Sequence, residues 1–296
     1  MLGSAYRERA KKPSYFFSKS HPLPPNHTCR PRFVPLGCAN PIEEAAISTE
    51  KTTILGVIPA RWESSRFPGK PLFELLGKPL LQHVVERARQ CQELTDLLVA
   101  TDDQRIADLC GKIDVPVTMT RSDHPSGTDR IAEAVAARAD ATHVINIQGD
   151  EPLLDPALVD SLALTLRQDS DVAMITAATP IKHEAFLTDP NVVKVVLDTA
   201  YNALYFSRSP IPYRRGGVPS LPTYRHLGIY GYRCDTLQTL VELPPSQLEQ
   251  AEGLEQLRAL EQGISIRVQL TNDEAIGLDS PDQVAHIESL LRAEEG

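Results

Sequence analysis

Ile54-Leu55-Gly56-Val57-Ile58-Pro59-Ala60-Arg61-Trp62-Glu63-Ser64-Ser65-Arg66-Phe67-Pro68-Gly69-Lys70-Pro71-Leu72 passes from an unbroken apolar run into a loop that carries three cations. The run Ile54 to Ile58 has the length and composition of a strand buried on both faces. Arg61, Arg66 and Lys70 follow at once, on a loop shaped by Pro68, Gly69 and Pro71. Fixed cations and backbone N–H groups converging beyond a buried strand make a place for a polyanion, most simply a triphosphate. The loop is not a Walker loop, because Gly-x-x-x-x-Gly-Lys-[Ser/Thr] is absent.

Outward from this stretch, strands and helices alternate. Leu80, Leu81, Val84, Val85 and Ala88 share a helical face after Pro79. Asp96 to Ala100 reads as a strand ending at Thr101-Asp102-Asp103, followed by a helix through Leu109 and a strand at Val115 to Met119. A helix begins near Thr128, and a strand at Thr142 to Ile147 ends at Gly149-Asp150-Glu151. Asp155-Pro156 is an N-cap and first-position pair for a helix through Leu166. This alternation predicts a mostly parallel, Rossmann-like sheet in a three-layer α/β/α sandwich, with ligands beyond the carboxyl ends of its strands. The polar clusters all fall at such ends. After Asp171 strand-like segments crowd together (172–177, 192–197, 203–207, 227–232) with few helices, and 214–224 reads as a loop. These are expected to extend the sheet and add a small sugar-binding or dimerisation lobe. A terminal helix starts at Ser280-Pro281.

The chain has 296 residues and a net charge of −9, with a pI near 5.4. That length can bury a sizeable core. The acidity argues against a general nucleic-acid binder, while a local cluster of cations still suits a triphosphate. Five scattered cysteines form no C-x-x-C pair, so neither a zinc pattern nor a disulfide framework is indicated, and a reduced cytoplasm is the simplest setting. No apolar stretch reaches the roughly 18 residues of a membrane span. Residues 1–52 are rich in Pro, Ser and basic residues and lack periodicity. They read as a disordered N-terminal extension, either dispensable or an organelle-targeting segment, ahead of a catalytic domain at 53–296.

Further blocks carry a family resemblance: Ala100-Thr101-Asp102-Asp103, Thr120-Arg121-Ser122-Asp123-His124-Pro125-Ser126-Gly127-Thr128-Asp129-Arg130, Asn146-Ile147-Gln148-Gly149-Asp150-Glu151-Pro152, Asn191-Val192-Val193-Lys194-Val195-Val196, Tyr205-Phe206-Ser207-Arg208, His226-Leu227-Gly228-Ile229-Tyr230-Gly231-Tyr232, Leu254-Glu255-Gln256-Leu257-Arg258 and Gly277-Leu278-Asp279-Ser280-Pro281-Asp282. With the opening loop, and in this order, they resemble the sugar-nucleotide cytidylyltransferases, most closely the 3-deoxy-manno-octulosonate cytidylyltransferase (CMP-KDO synthetase) family. The resemblance implies a nucleotide-diphospho-sugar transferase type of fold. It implies transfer of CMP from CTP to 3-deoxy-D-manno-octulosonate (Kdo) with release of pyrophosphate, for lipopolysaccharide synthesis, by a cytoplasmic Mg2+-dependent homodimer.

Asp150 follows a glycine past a buried strand, where a carboxylate can project into a cleft. Mg2+ commonly takes one or two carboxylates with phosphate oxygens and water. Asp279 is the second candidate, although an acidic residue is favoured beside the helix start at Ser280 in any case. The resemblance makes both of them magnesium ligands, and with Arg61 and Lys70 the catalytic set. Ala60, Arg61, Arg66, Lys70, Thr120, Arg121, Ser126, Gly127 and Gln148 are expected around the nucleotide; an N-cap role alone is the plain alternative for Ser126 or Thr128. The resemblance places Arg208, His226, Tyr230, Glu255 and Gln256 at the sugar, an arginine or histidine suiting its carboxylate. Ordinary packing is the plain alternative for His226 and Tyr230, as an exposed helix turn is for Glu255 and Gln256. The rival readings are a cytidylyltransferase for a sialic- or pseudaminic-type acid, and a non-catalytic nucleotide-binding protein on the same fold.

Overall fold

The computed structural model describes residues 52–63, 67–216 and 221–295. The expectations for residues 1–51 and for Arg66 lie outside the described residues. In chain order the strands are β1 (Ile54–Ala60), β2 (Glu74–Leu75), β3 (Lys78–Pro79), β4 (Asp96–Thr101), β5 (Val117–Met119), β6 (His143–Asn146), β7 (Met174–Pro180), β8 (Lys194–Leu197), β9 (Ala203–Ser207), β10 (Tyr224–Arg233) and β11 (Ile266–Leu270). The helices are α1 (Leu80–Ala88), α2 (Gln104–Lys112), α3 (Gly127–Ala136), α4 (Pro156–Gln168), α5 (Ala185–Thr188), α6 (Cys234–Glu242), α7 (Gln247–Glu252), α8 (Gln256–Glu261) and α9 (Val284–Glu295).

The main sheet has the order β11-β7-β10-β6-β1-β4-β5, with β8 on β10 and β9 on β8. Strands β5, β4, β1 and β6 are parallel. The antiparallel β10 then separates β6 from β7, and β11 runs parallel to β7. The parallel half therefore comes from the alternating segment, and the lobe is grafted on through β10.

Period-two alternation along β1 builds the three layers. Ile54 and Ile58 join a core with residues of α1, α2 and α4. Leu55 and Val57 point the other way, into a core with residues of α3, α6 and α8. Helix starts are fixed locally: Asp103, Ser126 and Asp155 each accept a backbone N–H of the first turn, at α2, α3 and α4. A third core joins Phe67, Leu75 and Leu80 to Leu278, Ile287 and Leu291, seating α9 beside the cationic loop. Among the described residues no helix is long and apolar enough to cross a membrane.

The second half differs from expectation, because α6, α7 and α8 follow β10 in close succession. The last two have only six residues each, too few for a helical period to show. A cap signal was nonetheless present. Ser246 and Glu249 form a reciprocal capping box at α7, and Gly253 ends it in the left-handed region at φ 62°. The terminal helix begins as expected at Ser280-Pro281, through a 3-10 turn at Pro281–Gln283.

One buried cation organises the lobe. Lys194 is fully buried at the start of β8. Its Nζ donates to the carbonyls of Asp189 (3.0 Å) and Val192 (2.7 Å), and to that of Arg208 just past β9. Three main-chain acceptors satisfy the three ammonium protons and tie two loops to the β8–β9 ladder.

Candidate active site

The cationic loop folds around Trp62. The Gly69 N–H donates to Trp62 O at 3.0 Å. Gly69 has φ +71°, and a Cβ there would lie 2.9 Å from the indole, so both conformation and space require glycine. The Arg105 guanidinium stacks over Trp62, 3.2 Å from the ring centroid. A 3-10 turn at Lys70–Leu72 then directs Lys70 inward. Its Nζ lies 2.5 Å from Asp150 Oδ2 and 3.0 Å from the Leu278 carbonyl.

Asp150 reaches this point because β6 closes tightly against β1. A Cβ on Gly149 would stand 2.8 Å from the Pro59 carbonyl oxygen, a backbone atom that cannot swing away. The Leu278 N–H donates to Asp150 O at 2.8 Å and so brings Asp279 alongside. Both carboxylates line a cavity of about 250 Å³ with Ala60, Arg61, Lys70, Ser126, Gly127 and Gln148. The local field is strongly negative: burial first, then Asp150, Asp273 and Asp279, push the Glu151 carboxyl up to about 8, against the pull of Arg225. Among the described residues no three His, Cys, Asp or Glu side chains form a metal cage. Two adjacent carboxylates in excess negative charge, opening on a cationic chamber, fit Mg2+ that completes its shell with phosphate and water.

Thr120 and Arg121 do not line this chamber. Thr120 is buried and accepts from Arg130 Nη1 at 2.6 Å. Arg121 is exposed, near Asp123 and Glu133. Arg130 does line the chamber, and its other Nη pairs with Asp102 at 3.0 Å. It thereby ties the 120–121 loop to the end of β4. Ser126 is the N-cap of α3 and also lines the chamber.

A second chamber of about 310 Å³ shares Pro59, Gly127 and Gln148 with the first. His226, Tyr230, Glu255 and Gln256 line it, as does Asn146. Arg208 does not. Its guanidinium donates to the carbonyls of Glu252 (2.7 Å), Pro190 (2.9 Å) and Gly253 (3.3 Å), which uses its fork to fix backbone. Two residues of the cleft, Arg130 and Asn146, carry no expectation from the sequence; a polar residue at the end of a buried strand was the available signal for Asn146.

His226 is neutral in this setting. Burial, with Arg225 nearby, pushes its imidazolium down to about 3. Thr176 Oγ1 lies 2.9 Å from His226 Nε2 and 2.7 Å from Ile229 O. The carbonyl can only accept, so the Thr176 proton goes to it and His226 donates from Nε2, leaving Nδ1 as an acceptor. The ring therefore cannot offer a positive charge to a carboxylate. Burial, with Tyr232 and Glu255, also pushes the Tyr230 phenol well above its ordinary value, so it stays an O–H donor. A pH dependence follows. The unfolded chain takes up a proton near the ordinary histidine value of about 6.5, before the folded one does, so stability falls as pH drops from there towards 3. Between pH 7.5 and 5 this site should contribute a loss of up to ~2 kcal/mol. Thermal melts should show a smaller loss over that range in His226→Gln, and an unchanged acid limb would count against a neutral ring.

The cytidylyltransferase family profile matches residues 55–266. A 3-deoxy-manno-octulosonate cytidylyltransferase of Solibacter usitatus is 48% identical over 240 residues, 81% of this chain and 95% of the relative. The chain belongs to this family. A second member, from Syntrophotalea carbinolica, is 47% identical over 248 residues, 81% of this chain and 99% of its own. A solved structure of CMP:2-keto-3-deoxy-manno-octonic acid synthetase complexed with CTP is 43% identical, with a TM-score of 0.79, over 82% of this chain and 100% of that one. The cytidylyltransferase fold thus carries the cleft of two chambers beyond β1 and β6.

Proposed function

We propose that this protein transfers CMP from CTP to Kdo and releases pyrophosphate, in cell-envelope polysaccharide synthesis. The observation that carries the reading is the single cleft: a cationic chamber with paired carboxylates opens directly into a hydrogen-bonding chamber whose lining holds Glu255 but no Lys or Arg. That is a layout for joining a nucleoside triphosphate to a polyhydroxylated sugar. The names of the relatives and the CTP complex of a related synthetase support the same assignment.

Arg61, Arg66 and Lys70 hold the triphosphate, the arginines by forked contacts and Lys70 as a point charge. Ala60, Ser126, Gly127 and Gln148 surround the nucleoside, and Arg130 braces the neighbouring segment at Thr120 and Arg121. Asp150 and Asp279 would hold Mg2+, which when bound supplies positive charge against the phosphoryl oxygens and acidifies the attacking hydroxyl. The anomeric 2-hydroxyl of Kdo attacks the α-phosphorus in line and pyrophosphate leaves, so positioning and electrostatics carry the rate. Tyr230, Glu255, Gln256 and neutral His226 bind hydroxyls. Arg208 acts as a positioning residue, fixing Glu252 and Gly253 just before Glu255. A catalytic domain at 53–296, a cytoplasmic setting and a homodimer belong to the same reading.

Pyrophosphate release from CTP across a panel of sugar acids tests it. Kdo should give the highest kcat/KM. Preference for a sialic or pseudaminic acid would reassign the sugar, and CTP binding without turnover of any acid would make the protein a nucleotide-binding relative.

A further inference from the structure

Asn146 ends β6, and its place there is unusual. Its sequence neighbours Ile145 and Ile147 are fully buried. Its register partners are Val57 on β1 and Tyr230 on β10, so it lies mid-sheet. Alternation puts it on the same face as Val144, the face covered by α3, α6 and α8. Asparagine is depleted in strands, and an interior one is normally fully hydrogen-bonded. Asn146 is only 4% exposed, yet its Oδ1 has no partner.

A second carboxamide on a separate element shows the same state. Gln256, at the start of α8, is 6% exposed and its Nε2 has no partner. Both side chains line the 310 Å³ chamber. The last torsion of a carboxamide is broad and roughly two-fold, so a half-turn about it exchanges which amide atom meets the cavity. Among the described residues none that lines this chamber is Lys or Arg. The missing partner is therefore a neutral group that both donates and accepts, which is a hydroxyl. It is neither a carboxylate nor a phosphate.

We propose that Asn146 is a specificity-determining residue for the sugar, its carboxamide hydrogen-bonding a hydroxyl of the sugar's polyol tail beside Gln256. This rests on the reading of the second chamber as the sugar's. A site built to pair a hydroxyl rejects an analogue lacking it, because the buried amide is left unpaired.

The test compares wild type with Asn146→Ala on Kdo, on 7-deoxy- and 8-deoxy-Kdo, and on shorter 2-keto-3-deoxy acids, with CTP affinity measured by calorimetry. Asn146→Ala should lower kcat/KM for Kdo about 10–100-fold, the scale of one buried hydrogen bond, at unchanged CTP affinity. For one of the deoxy analogues wild type and variant should converge, since the partner is already gone. An equal loss on every sugar, no loss on any, or a parallel fall in CTP affinity would overturn the proposal. If Asn146→Ala melts early, Asn146→Asp keeps the shape and the acceptor but not the N–H, and its discrimination among the same sugars is read instead. Wild-type turnover reports separately on the chamber. Should another acid sugar be preferred, the comparison moves to deoxy forms of that sugar; should none be turned over, both readings fall together.

Discussion

Asp150→Asn is expected to lower kcat by on the order of 10²-fold or more, the scale of losing one preorganised charge at a reacting centre. The substitution keeps size and most hydrogen bonding, so thermal melts should change little. Its electrostatic effect should have two opposite signs. Asp150 now holds Lys70 at 2.5 Å. Removing the carboxylate releases that ammonium and takes one negative charge from a chamber meant for a triphosphate. In EDTA, CTP affinity should therefore hold or rise while turnover collapses, and the Mg2+ concentration for half-maximal activity should climb. Asp279→Asn should show the same split, and the double variant should lose less than the product of the two, since one missing ligand already disables a shared ion. Wild-type kcat in Asp150→Asn at limiting Mg2+ would remove it from the metal site.

Lys194→Met should be the most destabilising single change in the lobe. Methionine fills the volume but leaves the carbonyls of Val192 and Arg208 without their ammonium partner, while Asp189 O keeps only the Val192 N–H at 3.2 Å. Each orphaned acceptor costs about 1–3 kcal/mol, offset in part by the relieved desolvation of the ammonium. A net loss of ~2 kcal/mol, or roughly 4–8 °C in Tm, is expected. Lys194→Arg should not rescue it, because a planar fork cannot meet three carbonyls gathered round one nitrogen. An unchanged urea midpoint in Lys194→Met would show that water replaces the ammonium at no cost.

The parallel half was legible because its strands are apolar runs and its helices have caps and a full period. Asp155-Pro156 started α4 as expected, and Ile54 to Ile58 became β1, inside the parallel half between β6 and β4. The helices α7 and α8 were not legible, being under two turns. At the site, residue type showed where charge was needed but not which charges the protein itself consumes. Arg208 and Arg121 look alike in sequence to Arg61, yet Arg208 is spent on three carbonyls and Arg121 on surface carboxylates. The protonation of His226 was equally hidden, because it depends on burial between β7, β10 and Phe206, contacts that only the folded sheet creates.

The seating of α9 beside the cationic loop bears on how the enzyme is born. Lys70 and its acceptor at Leu278 are 208 residues apart. A ribosome adding ~5–20 residues per second needs roughly 10–40 s to cover that distance. During that interval β1, its loop and most of the sheet have emerged, but the Asp279 segment has not, and Lys70 and Asp150 have only each other. Competence arrives with the segment that also closes the small Phe67–Leu291 core, so trimming back to Gly277 should silence the site while sparing the central sheet.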